Sequence, residues 1–175
     1  DPLALTELVR VLQVHPEADI LYSDEAAISA LGFPSRICYK PGFSPDLLLS
    51  RPYLGRMLAV RTDKARPAVP AGNDAGDANE YDLVLRVVSG SRNVIHIPKV
   101  LYYARCGGKT ISPGTQAGGD GYLHAIQEYL WREQIDGTAE AAGPGQYRVK
   151  RRIYGNPLVS LIIPTKDRLD LLTPC

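Results

Sequence analysis

Residues 18–29, ADILYSDEAAIS, decide how this chain is to be read. Ile20, Leu21 and Tyr22 make a short apolar run suited to a buried strand, and the run passes at once into Asp24 and Glu25. Open α/β sheets place ligands at strand ends, so two carboxylates delivered there are candidates for a functional site. A second acidic group, Asn79-Glu80-Tyr81-Asp82-Leu83, has the form of a helix start, with Asn79 as cap and carboxylates near the positive end of the helix dipole.

Working outward, residues 1–15 read as an amphipathic helix. Asp1 is its N-cap, Pro2 its first position, and Leu5, Leu8, Val9 and Leu12 its apolar stripe. Residues 26–42 read as an irregular segment containing Gly32-Phe33-Pro34 and Lys40-Pro41-Gly42. Ser44 caps a short helix that packs Leu47, Leu48 and Leu49 inward. A strand is expected over 56–61, and an exposed loop rich in Ala, Gly, Pro and Asp over 64–78. Tyr81, Val84, Leu85 and Val88 recur at helical spacing, and residues 94–97 and 100–103 read as strand segments broken by Pro98. A further helix carries Leu123, Ile126, Gln127, Leu130 and Trp131. Residues 137–156 read as a linker with a basic extended run, YRVKRRIY. The apolar run 157–165, PLVSLIIPT, reads as a strand buried on both faces of a parallel sheet.

Composition narrows the function classes. A 175-residue chain with 45% hydrophobic and 22% charged residues can bury a core of its own, and a net charge of +1 gives no bulk reason to expect nucleic acid. The alternation of Arg148, Lys150 and Arg152 with Tyr147, Val149 and Ile153 fits a strand with one wet face and lacks an aromatic stacking array. A peripheral membrane contact through this basic run is the other use it leaves open. Cys38, Cys106 and Cys175 are too widely spaced for a disulfide framework or a zinc pair. With no apolar run of about 20 residues and no signal-peptide layout, the expected location is the cytoplasm, or the inner face of the membrane.

Together with YKPGFSPDLLLSRPYLG and HIPKVLYYAR, the two acidic groups make residues 1–136 resemble the second half of a family 2 glycosyltransferase domain of the GT-A type, as found in bacterial polysaccharide assembly. Residues 157–175 resemble the opening strand and turn of a second, tandem domain, which makes the chain look like a piece of something longer. The resemblance implies an α/β class, specifically part of a GT-A, Rossmann-like fold with a mixed sheet flanked by helices. It also implies inverting transfer of a sugar from a nucleotide-diphospho-sugar donor to a glycan acceptor, with the isolated piece inactive. Glu80 falls where the catalytic base is found, although aspartate is more usual there. Asp24 falls at the first acidic position that holds a divalent cation, Mn²⁺ or Mg²⁺, and the donor's diphosphate, with Glu25 beside it and Arg105 in reach of phosphate.

Ala26 stands where a second aspartate is common, and Tyr103 where a histidine often is, which weakens the metal site. The competing reading is a degenerate domain that binds acceptor or docks a neighbouring glycosyltransferase domain. The unpaired edge of a partial sheet adds an expectation of strand exchange between copies through 157–164.

Overall fold

The computed structural model describes residues 1–29, 32–69, 77–105, 119–162 and 166. Its elements are α1 (Ala4–Val14), β1 (Ile20–Ile28), β2 (Pro34–Cys38), α2 (Pro45–Ser50), β3 (Leu58–Val60), α3 (Thr62–Ala68), α4 (Asp77–Ser89), β4 (Val94–Arg105), α5 (Gly119–Arg132), β5 (Gly137–Gly143) and β6 (Gln146–Arg151).

The central strand is β1. β4 runs parallel to it from Ile20 to Ile28, while β3 pairs antiparallel with residues 20–22 and β2 antiparallel with residues 25–28. A strand has two edges, so with β4 on one, β3 and β2 must lie end to end along the other. Ser23 and Asp24 fall in the gap between them. The fold is thus mixed α/β, as expected of the class.

Each face of this sheet has its own core. Leu21, Ile97 and Leu101 pack with Ala4 and Leu8 under α1, whereas Ile20 and Tyr22 join Leu48, Leu85, Ile126 and Leu130 from α2, α4 and α5. The alternation along ILY is what sends successive side chains to opposite layers. Asp19, just before β1, ties the strand starts together by accepting from the backbone N–H groups of Arg92 (2.9 Å) and Asn93 (3.3 Å). These bonds hold its carboxyl below its usual pKa, the Arg92 N–H being the largest cause.

Several local expectations are corrected. α1 turns Ala4, Leu8 and the partly buried Val11 inward and leaves Leu5, Val9 and Leu12 exposed, so the buried stripe is offset from the predicted one. Asp1 accepts from the Leu3 N–H at 2.7 Å, but the helix begins after Leu3. Within the segment expected to be irregular, residues 34–38 form β2. The expected loop over 64–78 begins inside α3; residues 70–76 lie outside the described residues.

β4 does not break at Pro98. Its partners jump from Ser23↔Ile97 to Asp24↔Val100, then to Glu25↔Tyr102, so extra residues are absorbed as bulges on both sides of Asp24. Proline cannot donate to a ladder, and a bulge is where a strand tolerates it. The stretch 137–156 is no simple linker: β5 and β6 form an antiparallel hairpin, because Tyr147 is buried against Tyr122 and Val149 packs beside it. The run 157–162 has no regular structure, and Leu158, Val159, Leu161 and Ile162 are exposed rather than buried. Among the described residues no strand pairs with it, and residues 163–165 lie outside them. Trp131, expected among the apolar residues of α5, is exposed.

Candidate functional site

The site grows from the gap in β1. Asp24 is 2% exposed, and its Oδ1 accepts from His96 Nε2 and from the Lys40 backbone N–H, each at 2.8 Å. An ionised carboxylate can only accept, so His96 carries a proton on Nε2 in this bond. The parallel pairing Tyr22↔His96 puts both rings on one face, stacked with centroids 4.9 Å apart. The Tyr22 hydroxyl donates to the Pro41 carbonyl at 2.6 Å, and burial pushes its pKa well up. Tyr22, Asp24 and His96 therefore clamp the segment that follows β2.

Glu25 and Lys40 make a second buried unit. The Lys40 ammonium lies 3.4 Å from Glu25 Oε2 and donates to the Leu54 carbonyl at 2.8 Å, while the Arg56 N–H approaches Glu25 Oε2 at 3.3 Å. Burial lowers the Lys40 pKa, and the Glu25 carboxylate opposes that shift. Gly55 closes over the pair at φ +74°, and a Cβ there would lie 2.2 Å from Lys40 Nζ.

Among the described residues, the remaining candidates make no hydrogen bond or ion pair with these groups. Arg105 is exposed at the end of β4 opposite Ile28, four residues beyond Asp24 along β1, which at about 3.3 Å per residue is roughly 13 Å. Glu80 is exposed in the first turn of α4, and among the described residues no hydrogen bond or ion pair joins it to Asp24, Glu25 or Arg105. Its neighbours are structural: Tyr81 is buried and donates to the Leu48 carbonyl at 2.7 Å, and Asp82 pairs with Arg86 (2.7 Å) and Arg132 (3.3 Å).

The described residues alone present no ready divalent-cation site. Asp24 Oδ1 is already engaged twice, Glu25 is committed to Lys40, and no group of three or more His, Cys, Asp or Glu suited to a metal is found among the described residues. Ala26 and Tyr103, the two departures from the expected ligand pattern, prove to be partners in register on β1 and β4. Parallel partners share a face, so both losses fall at one spot in the sheet. His96 and Lys40 are the site residues that sequence reasoning missed. The signal for His96 lay in its place opposite Tyr22, visible only once β1 and β4 are paired.

Fold and site together define a mixed α/β domain whose central strand buries an acidic pair at a break in its edge pairing. No family model matches the chain. It is similar to the O-antigen biosynthesis protein RfbC of Myxococcus xanthus, 35% identical over 178 residues that cover 98% of this chain. It is also 32% identical, over 184 residues and again 98% of its length, to the uncharacterized protein y4gI of Sinorhizobium fredii. The chain spans only 14% and 20% of the length of these two relatives. No described helix is long and apolar enough to cross a membrane.

Proposed function

We propose that the chain is part of an inverting family 2 glycosyltransferase of the GT-A type that moves a sugar from a nucleotide-diphospho-sugar to a glycan in bacterial cell-surface polysaccharide synthesis. The observation that carries this reading is the match along 98% of the chain to a protein named for O-antigen biosynthesis. The buried acidic pair at the centre of the sheet agrees with it.

In this reading Glu80, exposed at the start of α4, takes the proton from the acceptor hydroxyl as that oxygen attacks the anomeric carbon. Arg105, exposed at the end of β4, offers a guanidinium to the leaving diphosphate. Asp24 acts by holding His96 and the Lys40 backbone, which fixes the wall of the site. A neighbouring glycosyltransferase domain, with the exposed run 157–162 as its first strand, belongs to the same proposal.

A second reading has a specific observation behind it. Ala26 and Tyr103 face each other in register, as a ligand pair lost together would, and this favours a degenerate domain that binds acceptor or docks an active neighbour. Calorimetric titration of the full-length protein carrying these residues with nucleotide-diphospho-sugars and Mn²⁺ separates the two. Donor binding that needs Arg105 supports the transferase. Absent donor binding, gained only in the Ala26→Asp/Tyr103→His double variant, supports the decayed site.

A further inference from the structure

Away from Asp24, α2 and the β5–β6 hairpin enclose an open cleft of about 490 Å³, a volume within the range of small-ligand sites. Three of its lining residues are arginines, Arg51, Arg148 and Arg151, against a single carboxylate, Asp46. Asp46 is spent on Arg151, its Oδ1 lying 2.5 Å from the guanidinium, which also fixes the hairpin against α2. Arg148 has only a long contact to Glu140, at 3.8 Å. The Arg51 guanidinium makes no hydrogen bond or ion pair among the described residues, although its backbone N–H caps α2 by donating to the Leu47 carbonyl at 3.0 Å. Arg51 is therefore, among the described residues, the cleft guanidinium without an ion-pair partner, and Arg148 is only loosely paired, so the concave site keeps a surplus of positive charge. Ser50 and Gln146 add neutral hydrogen-bonding groups to the same wall.

We infer that this cleft binds an anionic saccharide, one bearing a carboxylate or a phosphate. Guanidinium forks match both oxyanions in geometry and charge, and the Gln146 amide suits sugar hydroxyls, while the Ser50 hydroxyl, which donates to the Asp46 carbonyl at 3.0 Å, can still accept from one. The inference goes beyond the proposed transfer reaction and does not depend on it, since Asp24, Glu80 and Arg105 line no part of the cleft.

The test is two-dimensional ¹⁵N–¹H NMR of the chain titrated with D-glucuronate and with glucose 6-phosphate, each compared with neutral glucose and inorganic phosphate. Saturable shifts of the amides of residues 50–51 and 146–151 are expected with at least one anionic sugar, at a dissociation constant of about 1 mM. Which sugar binds distinguishes carboxylate from phosphate. Arg51→Gln and Arg148→Gln, both at exposed positions, each weaken binding about tenfold, the loss expected for one charge-assisted contact. Arg152→Gln, outside the cleft, leaves it unchanged. The inference is overturned if neither anionic sugar shifts those amides, if Arg51→Gln binds as tightly as the parent, or if glucose or inorganic phosphate binds as well as the anionic sugar. Because no turnover is read, failure here leaves the transferase proposal standing.

Discussion

Gly55→Ala probes the buried Glu25–Lys40 pair more sharply than removal of either charge. Gly55 sits at φ +74°, where an L side chain costs about 1–2 kcal/mol on backbone grounds alone. The new Cβ would also stand 2.2 Å from Lys40 Nζ and 2.5 Å from Glu25 Oε2, so the pair must give way. The lysine tip is flexible in principle, yet its side chain is 1% exposed, and moving it surrenders the 2.8 Å bond to the Leu54 carbonyl. Losing one such charged hydrogen bond costs about 1.5–3 kcal/mol, which brings the total to about 2.5–5 kcal/mol. Gly32→Ala supplies the control, because Gly32 has φ +85° and, among the described residues, nothing within 4 Å of its would-be Cβ, so only the backbone cost applies. Urea unfolding of both variants gives the comparison. If Gly55→Ala costs no more than Gly32→Ala, the buried pair is not braced as described.

Three further outcomes follow from the same contacts. Asp24→Ala strands the half-buried His96 and the buried Lys40 N–H and should cost about 2–4 kcal/mol in urea unfolding, whereas an unchanged midpoint would show that Asp24 holds neither. Asp19 has a folded pKa below its unfolded value, so the stability it gives is complete above about pH 4 and is lost as pH falls through the lower folded value. Asp19→Asn should flatten that acid limb of stability against pH, and a limb of unchanged slope would contradict the assignment. Tyr147→Ala removes the buried anchor of the hairpin and should cost about 3 kcal/mol, with loss of amide protection in β5 and β6 before the central sheet.

Much of the frame was legible because it is local. The ILY run marked the central strand, and Ser44 does cap α2, its Oγ accepting from the Leu47 N–H at 3.3 Å. Tyr81 and Leu85 of α4 and Ile126 and Leu130 of α5 are buried as their helical spacing implied. What escaped depends on pairings between distant segments. His96 meets Asp24 across 72 residues, and nothing in HIPKV announces it until β4 is laid beside β1. Pro98 read as a strand breaker because its effect on a ladder is visible in sequence, while the bulge that absorbs it is a property of the pair. The basic run was legible as a strand with one wet face, since Tyr147 and Val149 turn inward and Arg148 and Lys150 outward, but its pairing with β5, which makes 137–151 a docked hairpin rather than a linker, was not. On α1 both candidate stripes are apolar, and only the neighbouring sheet decides which is covered.

The most direct measurement of the central proposal is release of nucleoside diphosphate from a panel of nucleotide sugars by the full-length protein carrying these residues, set against its Glu80→Gln variant. Transfer to a glycan acceptor with inversion at the anomeric carbon, reduced about a hundredfold or more in the variant, is the result predicted for a general base. Equal turnover in both proteins would remove Glu80 from the mechanism, and absence of any turnover in a folded protein would contradict the transferase reading.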